Sequence, residues 1–207
     1  MCGGDYKKWA EPRQLFLVNG EPLVQRTIRL LRECGVDDIA ISSNNEIFKA
    51  FGVPVLKHKN EWKVYDIEKS DGIWCNAFYP TDYPVCYILG DVVFSKDAIR
   101  KIVDTNTDDI EFFASAPPFA ENYPKTYAEP FAFKVVNLEH FWAAIAEVKN
   151  LDAQKKFDRH PIAWELWQVI KGTEINHIDY DDYTVINDYT CDIDSKEDIS
   201  AFKWSKI

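Results

Sequence analysis

The chain has 207 residues, 34 acidic and 24 basic, with a formal net charge of −10. This length suits one compact domain, and 46% hydrophobic with 28% charged residues is an ordinary globular composition, neither disordered nor fibrous. The acidic balance excludes broad binding to nucleic acid or to an anionic membrane, and no apolar run approaches the roughly 18 to 20 residues that cross a bilayer.

In chain order, Met1-Cys2-Gly3-Gly4-Asp5 places a glycine pair at the start, with no targeting segment before it. Pro22 to Glu33 reads as a helix, with Pro22 suited to the first turn, apolar residues from Leu23 to Leu31 and Gly35 as a stop. Asp38 to Ser43 and Val53 to His58 read as strands on either side of a brief helix near Glu46 to Phe51. A helix from Gly72 to Phe78 leads to Val85-Cys86-Tyr87-Ile88-Leu89, a run apolar on both faces, as in the inner strands of a covered parallel sheet. Ser95 reads as the N-cap of a helix from Lys96 to Val103.

The second half is more mixed. Strands are expected over Ile110 to Ala116 and Pro130 to Val136, separated by a loop marked by Pro117, Pro118 and Pro124. Helices follow over Leu138 to Val148 and Ile162 to Ile170, then short strands near Ile175 to Ile178 and Thr184 to Ile186. Ser195 and Asp198 have the spacing of a helix cap after Cys191-Asp192-Ile193-Asp194. Trp142, Trp164 and Trp167 stand at helical spacings and read as core or subunit interface. The alternation of strands and helices predicts an α/β fold with a mostly parallel sheet.

Cys2, Cys34, Cys75, Cys86 and Cys191 form no C-x-x-C pair, which argues for free thiols in a reducing compartment, hence a cytoplasmic protein. His58, His140, His160 and His177 show no zinc-ligand spacing. Three features suit chemistry on an anionic ligand. Gly3 and Gly4 let backbone amides approach phosphate, beside Lys7, Lys8 and Arg13; the alternative is a frayed terminus. Asp91 directly follows an apolar strand, where open α/β sheets bind ligands and where a carboxylate suits Mg²⁺; the alternative is a turn or cap aspartate. Asp192 and Asp194 form a second acidic point, or a turn plus cap.

In order and spacing, Gly3-Gly4, Pro12-Arg13-Gln14-Leu15, Asn19-Gly20-Glu21-Pro22-Leu23, Leu89-Gly90-Asp91-Val92 and the late Asp192-Ile193-Asp194-Ser195-Lys196-Glu197-Asp198-Ile199 resemble the GT-A-type nucleotidyltransferases, the sugar-phosphate and MobA-like NTP transferases. The resemblance spans Cys2 to Ile199. It implies a Rossmann-like, mostly parallel sheet flanked by helices with a small mixed acceptor subdomain, residues 1–109 being the nucleotide half and 110–207 the acceptor half. Gly3, Gly4 and Gly72 would bind nucleotide. Arg13 would contact the phosphates where the family has lysine, a change in hydration and geometry at constant charge. Asp91 and Asp194 would hold Mg²⁺, with Asp192 in reserve. Glu129, Lys134 and Arg159, with Lys125 behind them, would hold the acceptor. The family's first strand, which precedes the glycine loop, is missing here. Its loss would leave an apolar slot, and Met1 is expected to be an internal codon or a misassigned start.

The implied reaction is transfer of a nucleoside monophosphate from a nucleoside triphosphate to a phosphorylated small molecule, with release of pyrophosphate. The expected partners are that triphosphate and acceptor, and a second copy of the chain in a homodimer. Two alternatives stay open: a GT-A glycosyltransferase, whose Asp-x-Asp pattern Asp192-Ile193-Asp194 spells, and an inactive nucleotide-binding protein.

Overall fold

A computed structural model describes residues 1–2, 11–58, 73–117, 125–195 and 198–199. Its strands are β1 (Leu17–Val18), β2 (Glu21–Pro22), β3 (Ile41–Ser42), β4 (Val55–Leu56), β5 (Val85–Ile88), β6 (Val92–Val93), β7 (Ile110–Ala114), β8 (Pro130–Val135), β9 (Thr184–Val185) and β10 (Cys191–Asp192). The helices are α1 (Leu23–Glu33), α2 (Lys96–Asp104), α3 (Leu138–Ala153) and α4 (Ala163–Lys171). None of them is long and apolar enough to cross a membrane.

Local sequence explains most of these elements. The α1 helix starts one residue after Pro22, buries Leu23, Val24, Thr27, Ile28, Leu30 and Leu31 on one stripe, and ends before Gly35, whose φ is +83°. Ser95 caps α2 by accepting from the Ala98 amide at 2.9 Å. The segments Glu46–Phe51 and Ile73–Ala77 are helical but wound as 3₁₀ turns. The β1–β2 hairpin, absent from the sequence expectations, is carried by Asn19 and Gly20, both at positive φ (51° and 85°), as a two-residue Asn-Gly turn requires. The strand expected over Ile175 to Ile178 is not formed; those residues are turn and irregular chain.

The main sheet has the order β5-β8-β7-β9. It is mixed, which corrects the expectation of a mostly parallel sheet: β8 lies between β5 and β7 and runs antiparallel to both, while β7 and β9 are parallel. Because β5 precedes residue 109 and β8 follows it, the two halves of the chain share one sheet. Helices cover both faces. Phe112, Phe133, Phe141, Trp164 and Trp167 pack with α3 and α4, and the predicted core role of Trp164 and Trp167 is met there. Phe113 and Phe131 pack with Phe94, Ile99 and Ile102 against α1 and α2. A register shift near Phe113 and Ala114 places neighbouring Phe131 and Ala132 in the same cluster, as a bulge does when one extra residue enters a strand.

Residues 1 and 2 lie between β3 and β5. The Met1 amino group donates to Ile88 O at 2.6 Å, Met1 O accepts from the Gly90 amide at 2.8 Å, and the Cys2 amide donates to Ser42 O at 2.8 Å. Residue 1 thus brackets residue 89 as a parallel strand would. The rest of this lane is an apolar cleft of about 400 Å³, lined by Val24, Ile28, Leu31, Ile41, Val85 and Ile88 among others. Cys86, on the β5 edge, is exposed, although it stands in an apolar run that reads as buried on both faces.

Two predictions follow from contacts in this framework. A Cβ on Gly90 would lie 2.3 Å from Met1 O and 2.7 Å from Cys2 Sγ. Gly90→Ala should therefore destabilise the fold by about 1–3 kcal/mol, measured by urea unfolding. Lys134 Nζ donates to the carbonyls of Val103 (2.8 Å) and Thr105 (2.6 Å), with Ile102 at 3.3 Å, satisfying the open end of α2. Lys134→Met should cost about 1–3 kcal/mol in the same assay, because carbonyls with a charged donor would lose it.

Candidate active site

The site forms where three separated pieces of chain meet. Asp91 follows Gly90 in the turn between β5 and β6. The β6 strand pairs antiparallel with β10, Val92 facing Asp192 and Val93 facing Cys191, and the Ile193 amide donates to Asp91 O at 3.0 Å. This short ladder brings the late acidic segment beside the mid-chain turn. Val92, Val93, Cys191 and Ile193 are all buried, so the pairing is anchored by apolar side chains while Asp192 and Asp194 project from it.

Arg13, in the 3₁₀ turn Arg13–Leu15, closes the arrangement. Its guanidinium lies 2.7 Å from Asp91 Oδ2 and 3.1 Å from Asp194 Oδ1, and donates to Ile193 O at 2.7 Å. Burial opposes its charge, but Asp91, Asp194 and Asp192 more than compensate, holding its pKa above the ordinary value. The predicted trio Arg13, Asp91 and Asp194 is therefore brought together, with the guanidinium between the two carboxylates.

A second cluster shares Asp194. Glu129 sits immediately before β8, held by reciprocal bonds with Ser115: the Ser115 amide donates to Glu129 O (2.9 Å) and the Glu129 amide to Ser115 Oγ (2.8 Å). Glu129, Asp192 and Asp194 each offer an oxygen within 4.8 Å of the others. Lys125 Nζ lies among them, 2.6 Å from Glu129 Oε1, 3.2 Å from Asp194 Oδ2, and in contact with Asp192 Oδ1. Asp198, 3.6 Å from the same ammonium, also accepts from the amides of Asp194 and Ser195, both at 2.8 Å. The cap read from Ser195 and Asp198 is thus present, and it also braces Asp194.

Burial and the carboxylate of Glu129 push Asp192 well above the usual range, against the pull of Lys125. Asp194 goes the other way. Burial would raise it, but Lys125 and Arg13 outweigh that and hold it below the ordinary carboxylate value. Two neighbouring aspartates are thus tuned apart, Asp192 retaining its proton more readily than Asp194.

The remaining predicted residues divide differently. Gly3, Gly4 and Gly72 lie outside the described residues. Lys134 does not join the cluster and is engaged by the carbonyls of α2. Arg159 pairs with Glu165 at 2.5 Å, Glu165 in turn accepting from the Ile162 amide at the start of α4. Glu129 lies with the metal-ligand candidates, and Lys125 is the central cation instead of a peripheral one. A glutamate separated by Pro130 alone from the apolar Phe131-Ala132-Phe133 was the readable sign, since a carboxylate at the mouth of a buried strand needs a cation.

Among the described residues the grouped donors are all carboxylate oxygens, with Lys125 (buried) and Arg13 (half-buried) standing beside them; such a donor set suits a hard divalent cation. No curated protein matches the sequence. Residues 1–154 match the family described as the MobA-like NTP transferase domain, which takes in α1, β5, the Asp91 turn and Glu129. The chain therefore belongs to the MobA-like NTP transferase family.

Proposed function

We propose that this nucleotidyltransferase moves a nucleoside monophosphate from a nucleoside triphosphate to a phosphorylated small molecule, releasing pyrophosphate, with Mg²⁺ as cofactor. The observation that carries the reading is the convergence of Arg13 with Asp91 and Asp194 at the end of β5. In-line transfer at phosphorus needs positioning and neutralisation of charge more than covalent help, and a phosphorylated acceptor brings its own nucleophilic oxygen.

Of the expected ligands Asp91 and Asp194, with Asp192 in reserve, Asp194 and Asp192 stand together with Glu129 as the oxygens that would hold Mg²⁺, and Asp91 lies across Arg13 from them. When bound, Mg²⁺ would neutralise phosphate charge and polarise the reacting phosphorus. Arg13 supplies a fixed positive charge on the same side. Its guanidinium is paired with Asp91 and Asp194; a triphosphate would offer it stronger bidentate acceptors and so free both carboxylates. Gly3, Gly4 and Gly72 fall to the nucleotide, residues 1–109 forming its half and residues 110–207 the acceptor's. Among the predicted acceptor residues, Glu129 and Lys125 are the ones at the cluster.

A pyrophosphate-release screen of four nucleoside triphosphates against phosphorylated sugars, polyols and amino acids tests the reading. Asp91→Asn should lower the best rate by at least about 10²-fold, or roughly 3 kcal/mol of transition-state stabilisation. Full activity in that variant would remove Asp91 from the site. Release of a nucleoside diphosphate from a nucleotide-sugar, without pyrophosphate from any triphosphate, would instead favour glycosyl transfer.

The shifted aspartates generate a pH prediction. The raised pKa of Asp192 means its contribution to stability is present below the ordinary carboxylate range and is lost as pH rises through its own higher value. The depressed pKa of Asp194 contributes stability above the ordinary range, lost as pH falls through its own lower value. Divalent cation binding should therefore release protons from Asp192 at mildly acidic pH and tighten as pH rises. Titration calorimetry in two buffers of different ionisation enthalpy would show this as a buffer-dependent heat; identical heats would contradict it.

A further inference from the structure

Among the described residues, Lys125 is the cation that stands at all of Glu129, Asp192, Asp194 and Asp198. Its side chain is 5% exposed, yet its ammonium faces the four carboxylates of Glu129, Asp192, Asp194 and Asp198. The ring of Tyr127 lies 5.3 Å from the same nitrogen, and the Tyr127 hydroxyl is 3.4 Å from Asp194 Oδ2. Among the described residues Lys125 is the cation that faces all four, while Arg13 reaches Asp194 alone of them, so the charge balance of Glu129 and Asp192 leans on this nitrogen. A buried group of carboxylates without it would repel itself in a medium that screens poorly.

The oxygens that Lys125 holds are also those that Glu129, Asp192 and Asp194 would offer to a metal ion. An ammonium and a divalent cation cannot occupy that space together: they need the same acceptors and repel each other. We propose that Lys125 is a resident counter-ion, which a divalent cation must displace from Glu129, Asp192 and Asp194, so that Lys125 sets how tightly the site takes metal. The inference rests on the metal-assisted reading above and adds a residue to it. Lys125 touches no reacting atom in this role and is a positioning residue. It holds the carboxylates together until a metal takes its place, and would then shift toward Asp198, the most distant of its four partners at 3.6 Å.

The test is Mn²⁺ affinity, measured by calorimetry on the full chain without nucleotide, for the parent, Lys125→Met and Lys125→Arg. Lys125→Met keeps the length and removes the charge. It should bind Mn²⁺ at least about tenfold more tightly than the parent, since the ion no longer has to displace a cation. It should also melt at a lower temperature than the parent without metal, and gain more from added Mn²⁺. Lys125→Arg keeps the charge and should stay within about threefold of the parent's affinity. Unchanged or weaker binding by Lys125→Met overturns the proposal, as does equal tightening by Lys125→Arg. Should Lys125→Met fold only with Mn²⁺ present, the proposal is supported, because the metal then replaces the ammonium; failure to fold under both conditions overturns it. Absence of Mn²⁺ binding in all three proteins would sink the metal reading as well. Binding that ignores residue 125 would sink only the counter-ion role.

Discussion

The guanidinium of Arg13 is the contact on which the site depends. It joins the mid-chain turn at Asp91 to the late segment at Ile193 and Asp194, 180 residues further on in sequence for its bond to Ile193 O. Its charge offsets the repulsion between the two carboxylates that it joins. Arginine suits the task by its planar fork, which reaches two carboxylates and a carbonyl at once where an ammonium would act as a point charge.

Charge compensation also organises the neighbouring cluster. Arg13 and Lys125 divide the carboxylates between them, with Asp194 common to both. That sharing explains why Asp194 is held low while Asp192, deeper and beside Glu129, is pushed up. An acidic protein thereby builds a site for a polyanion. Its net charge of −10 is a property of the whole surface, whereas the local field here is set by two cations among a few carboxylates.

The supporting sheet positions these groups through its mixed order. Insertion of β8 between β5 and β7 places Glu129, at the start of β8, near the end of β5 where Asp91 turns. Gly90 admits residues 1 and 2 at that same end, where a side chain would collide with the Met1 carbonyl. The apolar cleft between β3 and β5 continues this lane. It accounts for the exposure of Cys86 on a strand whose sequence reads as interior on both faces.

Much of the local structure was legible in residues alone. Pro22 with Gly35, Ser95, and the apolar, aromatic-rich runs of β7 and β8 encode their elements through dihedral limits, capping and burial, all short-range effects. The motif order likewise pointed to the family and to Arg13, Asp91 and Asp194 as a group. The Asn19-Gly20 turn was equally readable, whereas the residues around Ile175 show that β-branched residues without a partner edge do not make a strand. Tertiary structure alone decided the antiparallel insertion of β8, the engagement of Lys134 by α2, and the place of Lys125 at the centre of four carboxylates. These depend on which edges and charges meet across long stretches of chain. A charged residue has the same appearance in sequence whether it faces water, a helix end or a buried carboxylate, and only the fold supplies its partner.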